Sequence, residues 1–553
     1  MNILRTTKYQ LKTFLPWLLA LLTGIAMSCT FPPYDRPGLA WVPFVAVAPL
    51  AGVLLFSPLP ASFGKRLGVT FLLGFFSGSV FFLLTLEWVR CVAWEGLVTL
   101  PFYLALYEGV WGMFVGLVLR SFLEKGESSS LKNFFTACLA AASWSGLEWL
   151  RGTLFTGFGW NSFGVAFHHV ISLIQIADVT GVSGLSFLGV MTGCSMAIAS
   201  RRFVDEIRQR KITTPLRMRP HGDLLVTLLV IVMVVAYGLH EMLAPVPPQK
   251  RIRVAAIQGN ISQNHKWDRA FEESIMETYC RESRAALALH PDLIVWPEAA
   301  TPRPLLYDQK TFLRLEELLE QSETDFLIGS LHYEEEPQRD YNAAILLNTK
   351  ELPGIPKIQY YAKSHLLPFG EYIPFRKSFP LFQWIIGDRI LGDFDAGPGP
   401  KLLLLSHQEI KVAPLICFED TLGNLVRQFA LLGAQGFINM TNDGWFGHSA
   451  ASKQHLVNAL FRSVETKLPM LRVANTGVTC LIDRFGRVAR QLHDGYGNTF
   501  FEGMMVAEWS LPENPPHTFY ARHGDIFAEG CLGVMLLSIA TFFLQKIRQQ
   551  RKV

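Results

Sequence analysis

The stretch Lys411-Val-Ala-Pro-Leu-Ile-Cys-Phe-Glu-Asp-Thr421 decides how the central part of this chain is read. Its first half is a short apolar run of strand length. An acidic turn follows, and Asp420 or Thr421 is placed to cap a helix over 421–433. A cysteine at the end of a strand and the head of a helix stands where α/β sheets gather their chemistry. Backbone N–H groups there also favour negative charge. Two other runs end in the same way. Leu293-Ile-Val-Trp-Pro-Glu298 stops at Pro297, which cannot donate to a ladder, so Glu298 opens a loop. Ile358-Gln-Tyr-Tyr-Ala-Lys363 leads into Ser364, His365 and a Pro-Phe-Gly-Glu turn at 368–371.

Around these three stretches the texture is uniform from 250 to about 515. Strand-like runs occur at Arg253–Gln258, Asp292–Trp296, Phe326–Leu331, Ala343–Leu347, Lys357–Tyr361, Lys401–Leu405, Lys411–Ile416, Gly436–Asn439, Met470–Ala474 and Val478–Ile482. Helical patterns fall at 268–289, 310–321, 421–433 and 452–467. The alternation predicts an α/β layered domain whose sheets are covered by helices. Several runs are continuously apolar, as in strands buried on both faces.

One Glu, one Lys and one Cys at such strand ends make a chemical set. A thiolate is the nucleophile and needs a base or cation beside it. A carboxylate can take the thiol proton and deliver it to a leaving group. An ammonium can stabilise an oxyanion. Taken singly, each residue has a plainer reading: Cys417 as a small buried hydrophobe, Glu298 as a solvated loop residue, Lys363 as an exposed strand end. Only their joint pattern carries weight.

The rest of the chain belongs to a membrane. Charged residues are only 17% of the 553, hydrophobic ones 50%, and mean hydropathy is +0.25. That excludes a disordered chain and disfavours a purely soluble one. A net charge of +4 on 50 basic and 46 acidic residues gives no nucleic-acid footprint. Apolar runs long enough to span a bilayer fall at 13–29, 38–57, 68–88, 96–119, 133–150, 181–199 and 223–243, with an eighth at 527–545. With the N-terminus inside, nineteen Lys and Arg fall in the inner segments and three, Arg36, Arg90 and Arg151, in the short outer loops. This places both termini in the cytoplasm and 250–515 across the membrane, on the periplasmic side in a bacterium. The expected domains are therefore helices 1–7 over 1–245, a catalytic domain over 250–515, an eighth helix over 527–545 and a cytoplasmic tail over 546–553. Residues 1–29 resemble a signal peptide, but removing them would leave an even number of spans and break the charge pattern. Charges inside the spans are few, and Glu108 and Glu148 stand out.

The motifs together resemble the carbon–nitrogen hydrolase, or nitrilase, superfamily, and within it a membrane-bound N-acyltransferase branch. They are Gln258-Gly-Asn-Ile261 with Lys266-Trp267-Asp268, Val295-Trp-Pro-Glu298, Tyr361-Ala-Lys363-Ser-His365, Pro368-Phe-Gly-Glu371-Tyr-Ile-Pro374 and Ile416-Cys417-Phe-Glu419. Thr441-Asn-Asp443-Gly-Trp445-Phe-Gly447, Gln454-His455 and Arg472-Val-Ala-Asn475-Thr-Gly477 complete the set. The resemblance implies an αββα sandwich with Cys417 as nucleophile, Glu298 as general base and acid, and Lys363 as oxyanion stabiliser. Glu371 and Glu419 match acidic residues of the family's pocket, and Trp267 and Trp445 aromatics near its substrate entrance. Phe418 departs from the Tyr expected as readily there, so a phenolic hydrogen bond is lost. The implied reaction is a ping-pong transfer through a Cys417 thioester, from a phospholipid, phosphatidylethanolamine, to the α-amine of a diacylglyceryl-cysteine at a lipoprotein N-terminus. Both substrates carry acyl chains that a soluble enzyme would have to extract, at about 0.8 kcal/mol per CH₂.

A tethered amidase acting on a small soluble substrate would use the same triad, and a transporter with a decayed domain would need none of it. No metal or other cofactor is expected: His365, His448 and His455 lack paired ligand spacing, and no phosphate-binding glycine loop occurs. A monomer is expected. Whether Cys280 and Cys480 pair is open. The apolar stretch 379–386 is expected to be an arm that touches lipid and gates acyl entry.

Overall fold

A computed structural model describes residues 2–125, 129–209, 221–320, 322–350, 354, 356–373 and 393–551. The stretch 379–386 lies outside the described residues. The chain divides into two compact units, one of Met1–Ala244 with Asp525–Val553, the other Pro245–Gly524.

The first unit is all helical. Its principal helices are α1 (Asn2–Ser28), α2 (Ala48–Phe56), α3 (Phe63–Thr85), α4 (Trp94–Met113), α5 (Ser130–Thr153), α6 (Val182–Gln209), α7 (Gly222–Leu243) and, after the second unit, α13 (Ile526–Gln550). Among the described residues six helical stretches are long and apolar enough to cross a membrane: Pro37–Phe56, Phe63–Thr85, Trp94–Glu124, Val182–Arg208, Gly222–Leu243 and Ile526–Gln550. The other two expected spans coincide with α1 and α5. In α1 the apolar part is Phe14–Ser28. Helix α5 is 24 residues long but carries Asn133, Glu148 and Arg151 together with small residues, and its Ala137–Leu147 face is largely buried in the bundle. Small residues allow close helix approach, as bilayer bundles require. At Gly146 an added Cβ would come within 2.7 Å of the Leu532 backbone on α13. Glu108 is buried between α3 and α4, against Gly78, where a Cβ would stand 2.8 Å from its carboxyl carbon. Glu148 accepts a hydrogen bond from the Phe163 N–H at 2.7 Å.

The second unit holds two six-stranded sheets. The strands are β1 (Gln249–Gln258), β2 (Leu293–Val295), β3 (Asp325–Glu334), β4 (Arg339–Leu347), β5 (Ile358–Ala362), β6 (Leu403–Leu404), β7 (Lys411–Ile416), β8 (Gly436–Thr441), β9 (Met470–Ala474), β10 (Cys480–Ile482), β11 (Val488–Gln491) and β12 (Gly503–Pro512). One sheet runs β12-β1-β2-β3-β4-β5 and the other β11-β10-β9-β8-β7-β6. In each, the three central strands are parallel and the outer ones antiparallel.

The period of two in a strand sorts side chains into layers. Val254 and Ala256, Leu293 and Val295, Leu327, and Ala344 and Leu346 face the second sheet. Past the short helix α8 (Gln263–Lys266), their alternates Ala255, Ile257, Ile294, Trp296, Phe326, Ile328 and Ile345 pack on helices α9 (Glu272–Leu287) and α10 (Gln309–Glu320). Helices α11 (Gly423–Leu431) and α12 (Ala451–Thr466) cover the far face of the second sheet through Val426, Phe429, Ala459 and Leu460. Four layers result, helix–sheet–sheet–helix, as the resemblance implied. Each buried Leu or Ile contributes about 1.5–3 kcal/mol, so the layering is set by apolar patterning.

Two strands were not foreseen. β11 is mostly exposed and polar. β12 pairs with β1 along its full length and sends Met505, Ala507, Trp509 and Leu511 into the core between the sheets. The expected cap also fails. Leu422 is the cap residue of α11, with no side-chain hydrogen bond, while Asp420 is turned to His455 and Thr421 donates to the Phe418 carbonyl. Cys280 and Cys480 are separate buried thiols.

Candidate active site

Three strands end at one point. After β2 the Trp296 N–H still bonds the Leu327 carbonyl at 2.9 Å, and Ala300 N–H bonds Gly329 at 2.7 Å. Between them Pro297, Glu298 and Ala299 bulge out of the ladder, with Ala299 at φ 44. Gly329 permits the bulge: a Cβ there would lie 2.1 Å from the Pro297 oxygen and 2.8 Å from Glu298 Cα. β5 delivers Lys363, whose N–H bonds the Asn342 carbonyl on β4 at 2.8 Å. β7 delivers Cys417, which opens a short 3₁₀ turn, Cys417–Thr421.

Cys417 has φ 53, a left-handed conformation that costs a non-glycine residue about 1–3 kcal/mol. Two bonds hold it there. The Asn439 amide donates to the Cys417 carbonyl at 3.1 Å, and Ile416 N–H donates to Glu419 Oε2 at 2.9 Å. Strain at a nucleophile turn aims the side chain out of the sheet, toward its reaction partners.

Glu298, Lys363 and Cys417 are all buried. Lys363 Nζ lies 3.8 Å from Glu298 Oε1 and 2.8 Å from Glu371 Oε2. Burial alone would lower the Lys363 ammonium, but the Glu371 and Glu298 carboxylates and the cysteine outweigh it and hold it above its ordinary value. Lys363 is therefore a fixed cation. Burial pushes the Cys417 thiol well up, Glu298 adds to this, and Lys363 and a Thr441 hydrogen bond oppose it. The resting cysteine is a thiol. Its proton has to leave as the nucleophile forms.

Glu298 is arranged to take it. Its Oε1 accepts from Asn342 Nδ2 at 2.8 Å. Its Oε2 is buried and has no hydrogen-bond partner among the described residues. A buried unsatisfied oxygen costs about 1–3 kcal/mol, and at a site of chemistry it is an acceptor held open.

The two other carboxylates differ. Glu371 pairs with Lys363 and accepts from Leu367 N–H at 2.7 Å and Asn342 Nδ2 at 3.1 Å. These bonds hold its carboxyl below the ordinary range although burial raises it. Glu419 is a hub for backbone: besides Ile416 it accepts from Ser364 N–H at 2.8 Å, His365 N–H at 3.0 Å and the Tyr361 hydroxyl at 2.8 Å. It ties the Lys363 loop to the Cys417 turn. Phe418 is buried and faces the His365 ring, with centroids 6.4 Å apart. Trp445 is 41% exposed. Trp267 is partly buried, and its indole N–H has no partner among the described residues.

Two features of the site fall on motif residues that carry no role legible in the sequence. Lys266 is buried, donates to the Glu298 carbonyl oxygen at 2.9 Å, and is pushed down to about 8 by burial, against the pull of Glu298 and Cys417. It braces the strained Glu298 bulge through this bond. The second is a buried ionic network under the nucleophile turn. His455 on α12 reaches Asp420 Oδ1 at 2.8 Å through Nε2 and Asp443 Oδ1 at 3.0 Å through Nδ1. Arg472 reaches Asp443 Oδ2 at 3.0 Å and the Val478 carbonyl. Burial would lower His455, but Asp420 and Asp443 raise it to about 9. The network links the Cys417 turn, through Asp420, to the loop after β8.

Four layers with Glu, Lys and Cys at converging strand ends define a carbon–nitrogen hydrolase domain, and the sequence profile of that family, carbon-nitrogen hydrolase, matches residues 253–507. A second profile, the apolipoprotein N-acyltransferase N-terminal domain, matches residues 23–195. The chain is 34% identical to the apolipoprotein N-acyltransferase of Geobacter metallireducens over 97% of its length and 96% of the relative's. It is 32% identical to that of Nitrosomonas europaea over 95% and 97%, and 26% identical to apolipoprotein N-acyltransferase 1 of Treponema denticola over 97% and 98%. The chain belongs to the apolipoprotein N-acyltransferase family. It is a bacterial membrane protein and an acyltransferase of lipoprotein maturation.

Proposed function

We propose that Cys417, Glu298 and Lys363 carry out a two-step acyl transfer from a phospholipid, phosphatidylethanolamine, to the α-amine of an N-terminal diacylglyceryl-cysteine. Glu298 Oε2 takes the Cys417 proton as sulfur attacks the ester carbonyl. Lys363 stabilises the oxyanion. The tetrahedral adduct collapses, Glu298 returns the proton to the departing glyceryl oxygen, and a lysophospholipid leaves a thioester behind. The lipoprotein amine then attacks that thioester, gives its proton to Glu298, and the sulfur leaves as a thiolate that is reprotonated. Glu371 keeps Lys363 charged throughout, Glu419 with Phe418 shapes the turn, and Trp267 and Trp445 border the path of the acyl chains.

The observation that carries this reading is the Glu298 carboxylate, tied at one oxygen and open at the other beside a fixed cation and a protonated thiol. The Lys and Arg distribution supports a chain in the inner membrane with both termini cytoplasmic and residues 250–515 periplasmic, working as a monomer. The test supplies phosphatidylethanolamine and a diacylglyceryl-cysteine peptide and follows triacylated product by mass. Cys417→Ser should abolish product, and Lys363→Met and Glu298→Gln should each lower it by at least about 10²-fold. Product formation by Cys417→Ser at the wild-type rate would refute the covalent route.

A further inference from the structure

The helical unit holds a cluster of ligating side chains that acyl transfer does not use. Asp35 lies in the turn after α1. His168 and His169 follow the 3₁₀ turn Phe163–Phe167. Both imidazoles point Nε2 at the same atom, Asp35 Oδ2, at 3.1 Å for His168 and 3.0 Å for His169. The rings lie with centroids 4.0 Å apart. His168 is buried, and Asp35 and His169 are half-buried.

Three ligand atoms of metal-binding type meet here. His168 Nδ1 lies 3.1 Å from the Val165 carbonyl oxygen. A carbonyl only accepts, so Nδ1 carries a proton, which leaves Nε2 as the ring's ligating nitrogen. His168 Nε2, His169 Nε2 and a carboxylate oxygen of Asp35 all lie within 4.8 Å of one another, so one divalent ion can take all three. Tetrahedral zinc with bonds of about 2.0–2.1 Å spaces its ligand atoms about 3.3 Å apart, close to the separations found here. The Nδ1–H to carbonyl bond is also the arrangement that fixes the tautomer of a metal-ligating histidine.

We propose that Asp35, His168 and His169 form a binding site for a divalent transition-metal ion of zinc or cobalt type, with water completing the coordination. Two imidazoles and one carboxylate suit such an ion better than calcium or magnesium, which prefer all-oxygen sets. The ion would clamp the loop after α1 to the loop after α5, two segments that the Lys and Arg pattern puts on the same side of the membrane. The histidines follow Asp35 by 133 and 134 residues, so no ligand spacing betrays the site in the sequence.

The test uses the full-length protein without a polyhistidine tag, stripped with chelator and dialysed against zinc or cobalt. Wild type should retain one equivalent of zinc, show the visible bands of tetrahedral cobalt, and unfold at higher temperature with zinc than without. Asp35→Asn, His168→Ala and His169→Ala should each bind at least tenfold more weakly while keeping acyl transfer. Cys417→Ser should keep the equivalent. His169→Gln, at a half-buried ring, decides the matter should His168→Ala aggregate. No bound metal in wild type, an equivalent that survives His169→Gln, or one that disappears with Cys417→Ser would each overturn the proposal.

Discussion

At the scale of residues, the site depends on a few groups held against their preferences. Lys266 is a buried ammonium pushed down to about 8, and its Nζ donates to the Glu298 carbonyl oxygen. Lys266→Met should lower the rate of acyl-enzyme formation about tenfold or more, with the fold intact by circular dichroism, because the Glu298 bulge loses its brace. His455 gives a pH prediction. Its folded pKa is raised from 6.5 to about 9, so the folded state binds the proton more tightly. The stability it adds is complete below the ordinary histidine range and is lost as pH rises through 9. Denaturation midpoints should therefore fall between about pH 6.5 and 9, and this fall should be absent in His455→Ala. That variant should itself lose about 3–5 kcal/mol at neutral pH, since it leaves Asp420 and Asp443 buried with a partner removed. Glu298, Lys363 and Cys417 were legible because each ends an apolar run. Lys266 stood in a motif without a role: nothing in the polar stretch Gln263–Lys266 tells what its ammonium touches until the chain folds.

At the scale of elements, apolar runs announced the strands that are buried on both faces, and all ten expected runs contain a strand. β12 was missed by that search because Glu508 and Ser510 cut its apolar run, although Met505, Ala507, Trp509 and Leu511 face in. β11 has hardly any buried side chains to signal it. The cap expected at Asp420 failed for an electrostatic reason: a buried histidine raised to about 9 is a stronger partner for a carboxylate than a backbone N–H. One glycine connects element packing to chemistry. Gly329→Ala would put a methyl 2.1 Å from the Pro297 oxygen, and the neighbour is backbone, which cannot step aside. It should destabilise the protein by about 1–3 kcal/mol and reduce acyl transfer more than Gly495→Ala, where a Cβ meets nothing within 4 Å.

At the scale of the whole molecule, composition alone separated a helical membrane unit from a layered α/β unit, and the boundaries near 245 and 525 follow the change in texture. The Lys and Arg bias predicts which side each loop occupies. Tyr496 is 99% exposed in the α/β unit. With Cys29 and Cys91 first replaced by Ser, a Tyr496→Cys variant in spheroplasts of intact inner membrane should react with a membrane-impermeant maleimide, whereas a Gln549→Cys variant should react only after the membrane is opened. The reverse pattern would invert the topology. The charge pattern could say nothing of Asp35, His168 and His169, because their meeting is a product of how the loops close.

The central claim is that acyl groups pass through Cys417. The direct measurement is mass spectrometry of the purified full-length protein after incubation with phosphatidylethanolamine vesicles. A hydroxylamine-sensitive acyl mass on the Cys417 peptide, absent in Cys417→Ser and discharged by a diacylglyceryl-cysteine peptide, is the result predicted. Folded protein that makes triacylated product while Cys417 never carries an acyl mass would contradict it.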